Sequence, residues 1–142
     1  MERSQIGMKL TIVGLAICFS FASLSSYAYS STNPRGTYDP ADTAYYEPGS
    51  FKITNMSAIY QKTPTINVFM IMGFVHNLSN KTGSPSILVQ AFDKNNTLID
   101  TAIRPVFLLN LQPGDKSPFK IPIFANVSDF DHYYLRIVGP MR

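Results

Sequence analysis

The sequence predicts an all-β protein, an antiparallel sandwich of two sheets and about seven strands. Three observations carry this. Short runs past residue 50 alternate apolar and polar residues with period two. The breaks between them hold Asn, Gly, Pro and Asp in turn order. Outside the first segment, no stretch shows the 3.6-residue apolar spacing of an amphipathic helix.

The first segment reads as a targeting signal. Arg3 and Lys9 precede a run from Leu10 to Ala22 that is almost wholly apolar, and Ser26-Tyr27-Ala28 follows. A basic start, an apolar core and small residues at a cut describe a secretory signal peptide, with cleavage expected after Ala28. The alternative is an uncleaved membrane tether through residues 10–28, since a span needs about 20 apolar residues and this one reaches that only by counting serines. Either way the rest of the chain is expected outside the cytoplasm, secreted or attached to the outer face of the membrane. Cys18 is the only cysteine. Bulky Ile17 before it and the apolar run beyond it argue against a lipid-attachment site. The exported part therefore has no disulfide and must fold on its apolar core.

Residues 29–50 mix Tyr29, Tyr38, Tyr45 and Tyr46 with Ser, Thr, Pro, Asp and Gly and show no period. They read as an extended or disordered linker, with the domain occupying 51–139. Phe51–Tyr60 is the first expected strand. Ile66–Val75 has little polar interruption, which suits a strand buried on both faces. Ser86–Phe92 places Ile87, Val89 and Ala91 on one side, and Leu98–Ile103 follows. Pro105–Leu111, with Val106, Phe107, Leu108 and Leu109, is expected as a further strand. Phe119–Phe124 alternates Phe119, Ile121 and Ile123 against Lys120 and Pro122; Pro122 lacks an N–H, so this strand lies at an edge or carries a bulge. Tyr133, Leu135 and Ile137 alternate in the last strand. Asp93-Lys94-Asn95-Asn96 reads as a hairpin and Pro113-Gly114 as the centre of a type II turn.

Gly73-Phe74-Val75-His76-Asn77 closes one strand, and Val89-Gln90-Ala91-Phe92-Asp93 ends another. Leu111-Gln112-Pro113-Gly114-Asp115, then Pro118-Phe119, leads into a third. This succession resembles the FxLYD-type domain, a small β-sandwich of exported bacterial and archaeal proteins, over about residues 51–139. In its name-giving motif Val89 stands for Phe, Ala91 for Leu and Phe92 for Tyr, while Asp93 matches. The resemblance implies an immunoglobulin-like arrangement and an extracytoplasmic binding or scaffolding module without catalytic residues. The partner would be an envelope protein or a surface polymer.

The chemistry present fits that expectation. Net charge is +3, but Lys and Arg are scattered, without the basic stripe of a nucleic-acid binder. No Gly-x-Ser-x-Gly and no phosphate-cradling Gly-rich loop occur. Past residue 50 there are five Asp and no Glu, a poor supply for paired-carboxylate hydrolysis. No enzyme activity and no cofactor are expected. The alternative is a carrier of a metal or small ligand. Met70, Met72 and His76 share one strand face and offer soft ligands to copper, while Asp129 with Asp131, or Asp93 with Asn95 and Thr97, offer oxygens to calcium. Finally, Asn-x-Ser/Thr sequons at Asn55, Asn77, Asn80, Asn95 and Asn126 are more than the one or two that chance gives at about this composition, and mark glycosylation candidates.

Overall fold

A computed structural model describes residues 33–141. The expected signal peptide or tether, its cleavage after Ala28 and Cys18 lie outside the described residues. Seven strands form in chain order: β1 (Arg35–Thr43), β2 (Phe51–Lys62), β3 (Asn67–Asn77), β4 (Ser86–Phe92), β5 (Leu98–Pro105), β6 (Lys116–Ile123) and β7 (His132–Val138). There is no helix among the described residues. One sheet runs β1-β7-β4-β5 and the other β2-β3-β6. The expected all-β two-sheet sandwich is what the chain forms.

The core follows from alternation. Along β6 Ser117, Phe119, Ile121 and Ile123 are buried, and along β7 Tyr133, Leu135 and Ile137 are. They meet Ile53, Phe69, Ile71 and Val75 of the three-stranded sheet and Ile87, Val89 and Ala91 of the four-stranded one. Each large apolar side chain so buried contributes about 1.5–3 kcal/mol. Gly73 faces inward opposite Phe119, and a Cβ there would sit 2.8 Å from the ring. The missing side chain makes room for the aromatic one, beside the irregularity between Thr54 and Ser57 in β2. Edge protection is also visible. Pro118 and Pro122 lie four apart in the edge strand β6, so their missing N–H groups fall on the same side and the open edge offers little to pair with.

Three expectations need correction. Residues 35–43, expected within a linker, form β1, so the sheet begins at Arg35 rather than near residue 51. Hydropathy is silent here because β1 buries almost no side chains; backbone pairing holds it. It runs parallel to β7, with Arg35 opposite His132 and Tyr38 opposite Leu135. Among the described residues this is the one departure from antiparallel pairing. Polar contacts fasten it: the Tyr38 hydroxyl donates to the Phe51 carbonyl at 3.0 Å, and Asp42 pairs with Arg136 at 2.7 Å. Burial, then nearby Asp39, pushes the Tyr38 phenol up to about 12, so it stays a donor at neutral pH. Next, Pro105–Leu111 is not a strand; Pro105 ends β5 and the chain crosses to the other sheet through a loop. Lastly, β3 is buried on one face only: Met70, Met72, Phe74 and His76 are half-buried on the outer face.

Gly36 tests the first correction. A Cβ there would lie 2.5 Å from the Tyr133 ring. Gly36→Val is expected to cost about 1–3 kcal/mol in urea unfolding. A linker would leave the midpoint unmoved.

The N-terminal end of β1 supplies an acid-sensitive tether. Asp131 accepts from Arg35 at 3.0 Å and from His132 Nδ1–H at 2.9 Å. The His132 hydrogen bond, then Arg35, holds the Asp131 carboxyl below its ordinary 3.8. A depressed carboxyl adds stability above its unfolded value and loses it as pH falls through the folded one. Asp131→Asn should therefore be less stable than the parent at neutral pH, and the gap should close in melts taken below about pH 4.

Candidate functional end of the sandwich

Strand directions bring three connections to one end: residues 44–50, 78–85 and 106–115. Asn77, fully buried, organises them. Its side-chain amide donates to the carbonyls of Lys81 and Leu111, both at 2.8 Å. Its side-chain oxygen accepts from the Ser79 N–H at 3.0 Å and the Ser79 hydroxyl at 2.7 Å. Its backbone N–H donates to Asp115 O and its carbonyl accepts from Gly114 N–H. The expected Pro113-Gly114 turn is present, with Gly114 at φ 84° and Asp115 N–H bonded to Gln112 O at 3.0 Å. Gly83 and Leu111 exchange both backbone bonds, at 3.0 and 2.7 Å.

This frame pins the loop between β5 and β6. Val106 and Leu111 are buried on either side of it. Val106 N–H donates to Pro85 O, Phe107 N–H to Pro118 O, and Leu108 N–H to the Ser117 hydroxyl at 2.8 Å. Asn110, at φ 60°, donates its N–H to the Ser84 hydroxyl at 3.1 Å. Yet the side chains between the anchors stand in water: Phe107 is 67% exposed, Leu108 51% and Leu109 65%. Leu78 and Tyr45, at the same end, are exposed too. Sequence reasoning missed this site. The available signal was three large apolar residues in succession, which no half-buried strand can all turn inward.

The electrostatics of this end are mixed but lean positive. Lys52, Lys81, Arg104 and Lys116 lie there with Glu47 and Asp115. Asp115 is engaged by the Gln112 N–H at 3.0 Å, and among the described residues none of the four cations is ion-paired to a carboxylate. Lys116 sits over the Phe74 ring at 4.3 Å. His76 bonds through Nε2 to the Thr54 hydroxyl at 2.9 Å. Burial, then Lys116 and Lys52, pushes its imidazole below the ordinary value. The charges nearest the ring are the ammonium groups of Lys116 and Lys52, which disfavour the imidazolium.

The copper set is not brought together. Six steps along extended strand put His76 about 20 Å from Met70, and the outer-face ring of Phe74 stands between Met72 and His76. The calcium oxygens are already employed. Asp93 Oδ1 caps its hairpin by accepting from Asn95 and Thr97 N–H, both at 2.8 Å, while Asp129 accepts from Asn126 and Ser128. Asp131 serves Arg35 and His132. Among the described residues no group of three or more His, Cys, Asp or Glu side chains is placed to hold a metal. Of the sequons, Asn55, Asn80, Asn95 and Asn126 are exposed. Asn77 drops out, because its amide nitrogen is buried and already donates twice.

Comparison with known proteins returns no matching family model, no matching curated protein and no matching solved structure.

Proposed function

We propose that this chain is an exported, non-enzymatic β-sandwich that acts as a binding or scaffolding module at the cell surface or envelope. Its contact surface is the loop end bearing Phe107, Leu108 and Leu109. The observation that carries the reading is the combination found there: three large apolar side chains held in water on a backbone fixed by hydrogen bonds. Exposed apolar clusters lower solubility and mark interaction sites. A fixed backbone reduces the ordering that binding must impose. Export is supported by the basic and apolar pattern of residues 3–28, and the module class by the resemblance to FxLYD-type domains.

The test is site-specific photocrosslinking of the full chain in its own cells. A photoreactive residue at Leu109 is expected to yield an adduct with an envelope component, whether protein, lipid or polymer. The same residue at Lys94, in the hairpin at the opposite end, is expected to yield none. No adduct at Leu109, or equal adducts at both, would refute the reading.

A further inference from the structure

We propose that the occupant of this loop is an anionic lipid bilayer: Phe107, Leu108 and Leu109 enter the membrane surface while Lys81, Arg104 and Lys116 rest on the headgroups. The inference rests on the loop being a contact surface and goes further in naming what it contacts.

Two observations select lipid over a protein or a second copy of the chain. The first is the state of the backbone. Of the six N–H groups from Val106 to Leu111, five donate within the protein, those of Val106, Phe107, Leu108, Asn110 and Leu111, and only that of Leu109 does not. Hydrocarbon offers no acceptor, so a segment entering it must satisfy its own polar backbone. A protein partner imposes no such demand, because it can supply acceptors itself. The second is the placement of charge. Pro105 to Gln112 contains no ionisable residue, and the first cations on either side are Arg104 and Lys116. Lys81, in the connection bonded to the same loop, adds a third. An apolar tip with basic residues at the bases of its loop and in the neighbouring connection matches the layering of an anionic membrane, with hydrocarbon inside and phosphate above. Of the two acids at this end, Asp115 is held in its own turn and Glu47 lies in the separate 44–50 connection.

The chain contains no Trp, which provides a clean reporter. The full chain carrying Phe107→Trp, at an exposed position, is mixed with vesicles of phosphatidylglycerol and phosphatidylcholine in equal parts. Its emission should shift to the blue and be quenched by lipids brominated along the acyl chain. Leu109→Trp should behave alike. Ile66→Trp, exposed at the opposite end, should keep a water-like emission, which separates insertion of this loop from attachment through another segment. Lys81→Gln, Arg104→Gln and Lys116→Gln in the Phe107→Trp chain should each weaken binding by about fivefold, and added salt should weaken it too.

Water-like emission from both loop reporters would overturn the proposal. So would an equal shift at Ile66→Trp, or equal binding to pure phosphatidylcholine. A blue shift that grows with protein concentration and needs no vesicles would overturn it in favour of self-association. Adducts at Leu109 in cells alongside a failed vesicle test would sink the lipid assignment alone. Failure of both would sink the contact surface as well.

Discussion

Asn77→Asp is expected to destabilise the sandwich by about 3–5 kcal/mol at neutral pH. The change is nearly isosteric, so the loss comes from chemistry and not from volume. The native amide aims two N–H donors at two carbonyl oxygens, those of Lys81 and Leu111, each at 2.8 Å. A carboxylate would place an oxygen there, buried and facing two acceptors, with no water to shield it. Protonation restores one donor for the two acceptors. The folded carboxyl would therefore titrate above its unfolded value, and its penalty would grow as pH rises from about 4. Urea unfolding of parent and variant at pH 7 and at pH 4 should show the larger difference at pH 7. A difference below about 1 kcal/mol at both would remove Asn77 from the centre of this end.

Phe119→Ala is expected to cost about 3–5 kcal/mol, the range for a buried aromatic cut to a methyl. Its partner makes the prediction sharper. Gly73→Ala alone should cost about 1–3 kcal/mol, because the new methyl would press on the Phe119 ring. In the Phe119→Ala background that ring is gone and the methyl enters the vacated space, leaving the Thr54 carbonyl, at 3.1 Å, as its nearest neighbour. Gly73→Ala should then be nearly neutral, a coupling of at least about 1 kcal/mol between the two sites. Additive losses in guanidinium unfolding would mean that the ring does not lie over Gly73.

Most of the strand framework was legible because alternation reports burial directly. Ser86–Phe92 forms over the expected residues, and β6 and β7 bury the expected side chains. Pro122 does lie in an edge strand, and Asn96 takes the left-handed conformation its hairpin needs, at φ 63°. β1 was hidden for a physical reason: a strand whose side chains face water carries no hydropathic signature, and its parallel partner is almost a hundred residues away in sequence. The sandwich reaches seven strands with β1 in place of the strand expected at 105–111. Asn77 was half legible. Its role in the following turn is local, whereas its bond to Leu111 spans 34 residues and follows only from the fold. The apolar loop misled for the opposite reason. Val106 to Leu109 resembles a core strand by composition, and only the crossing between sheets turns its middle outward.

The proposed contact surface requires that loop to be fixed while its side chains are free. Hydrogen–deuterium exchange of the full chain, followed in peptides covering residues 105–112, measures the first condition against the known exposure of the second. Exchange at Phe107, Leu108, Asn110 and Leu111 slowed to the order seen in the adjoining strands β5 and β6 is the predicted result. Exchange at the rate of an unstructured chain would mean a floppy apolar segment without a prepared surface, and would contradict the account.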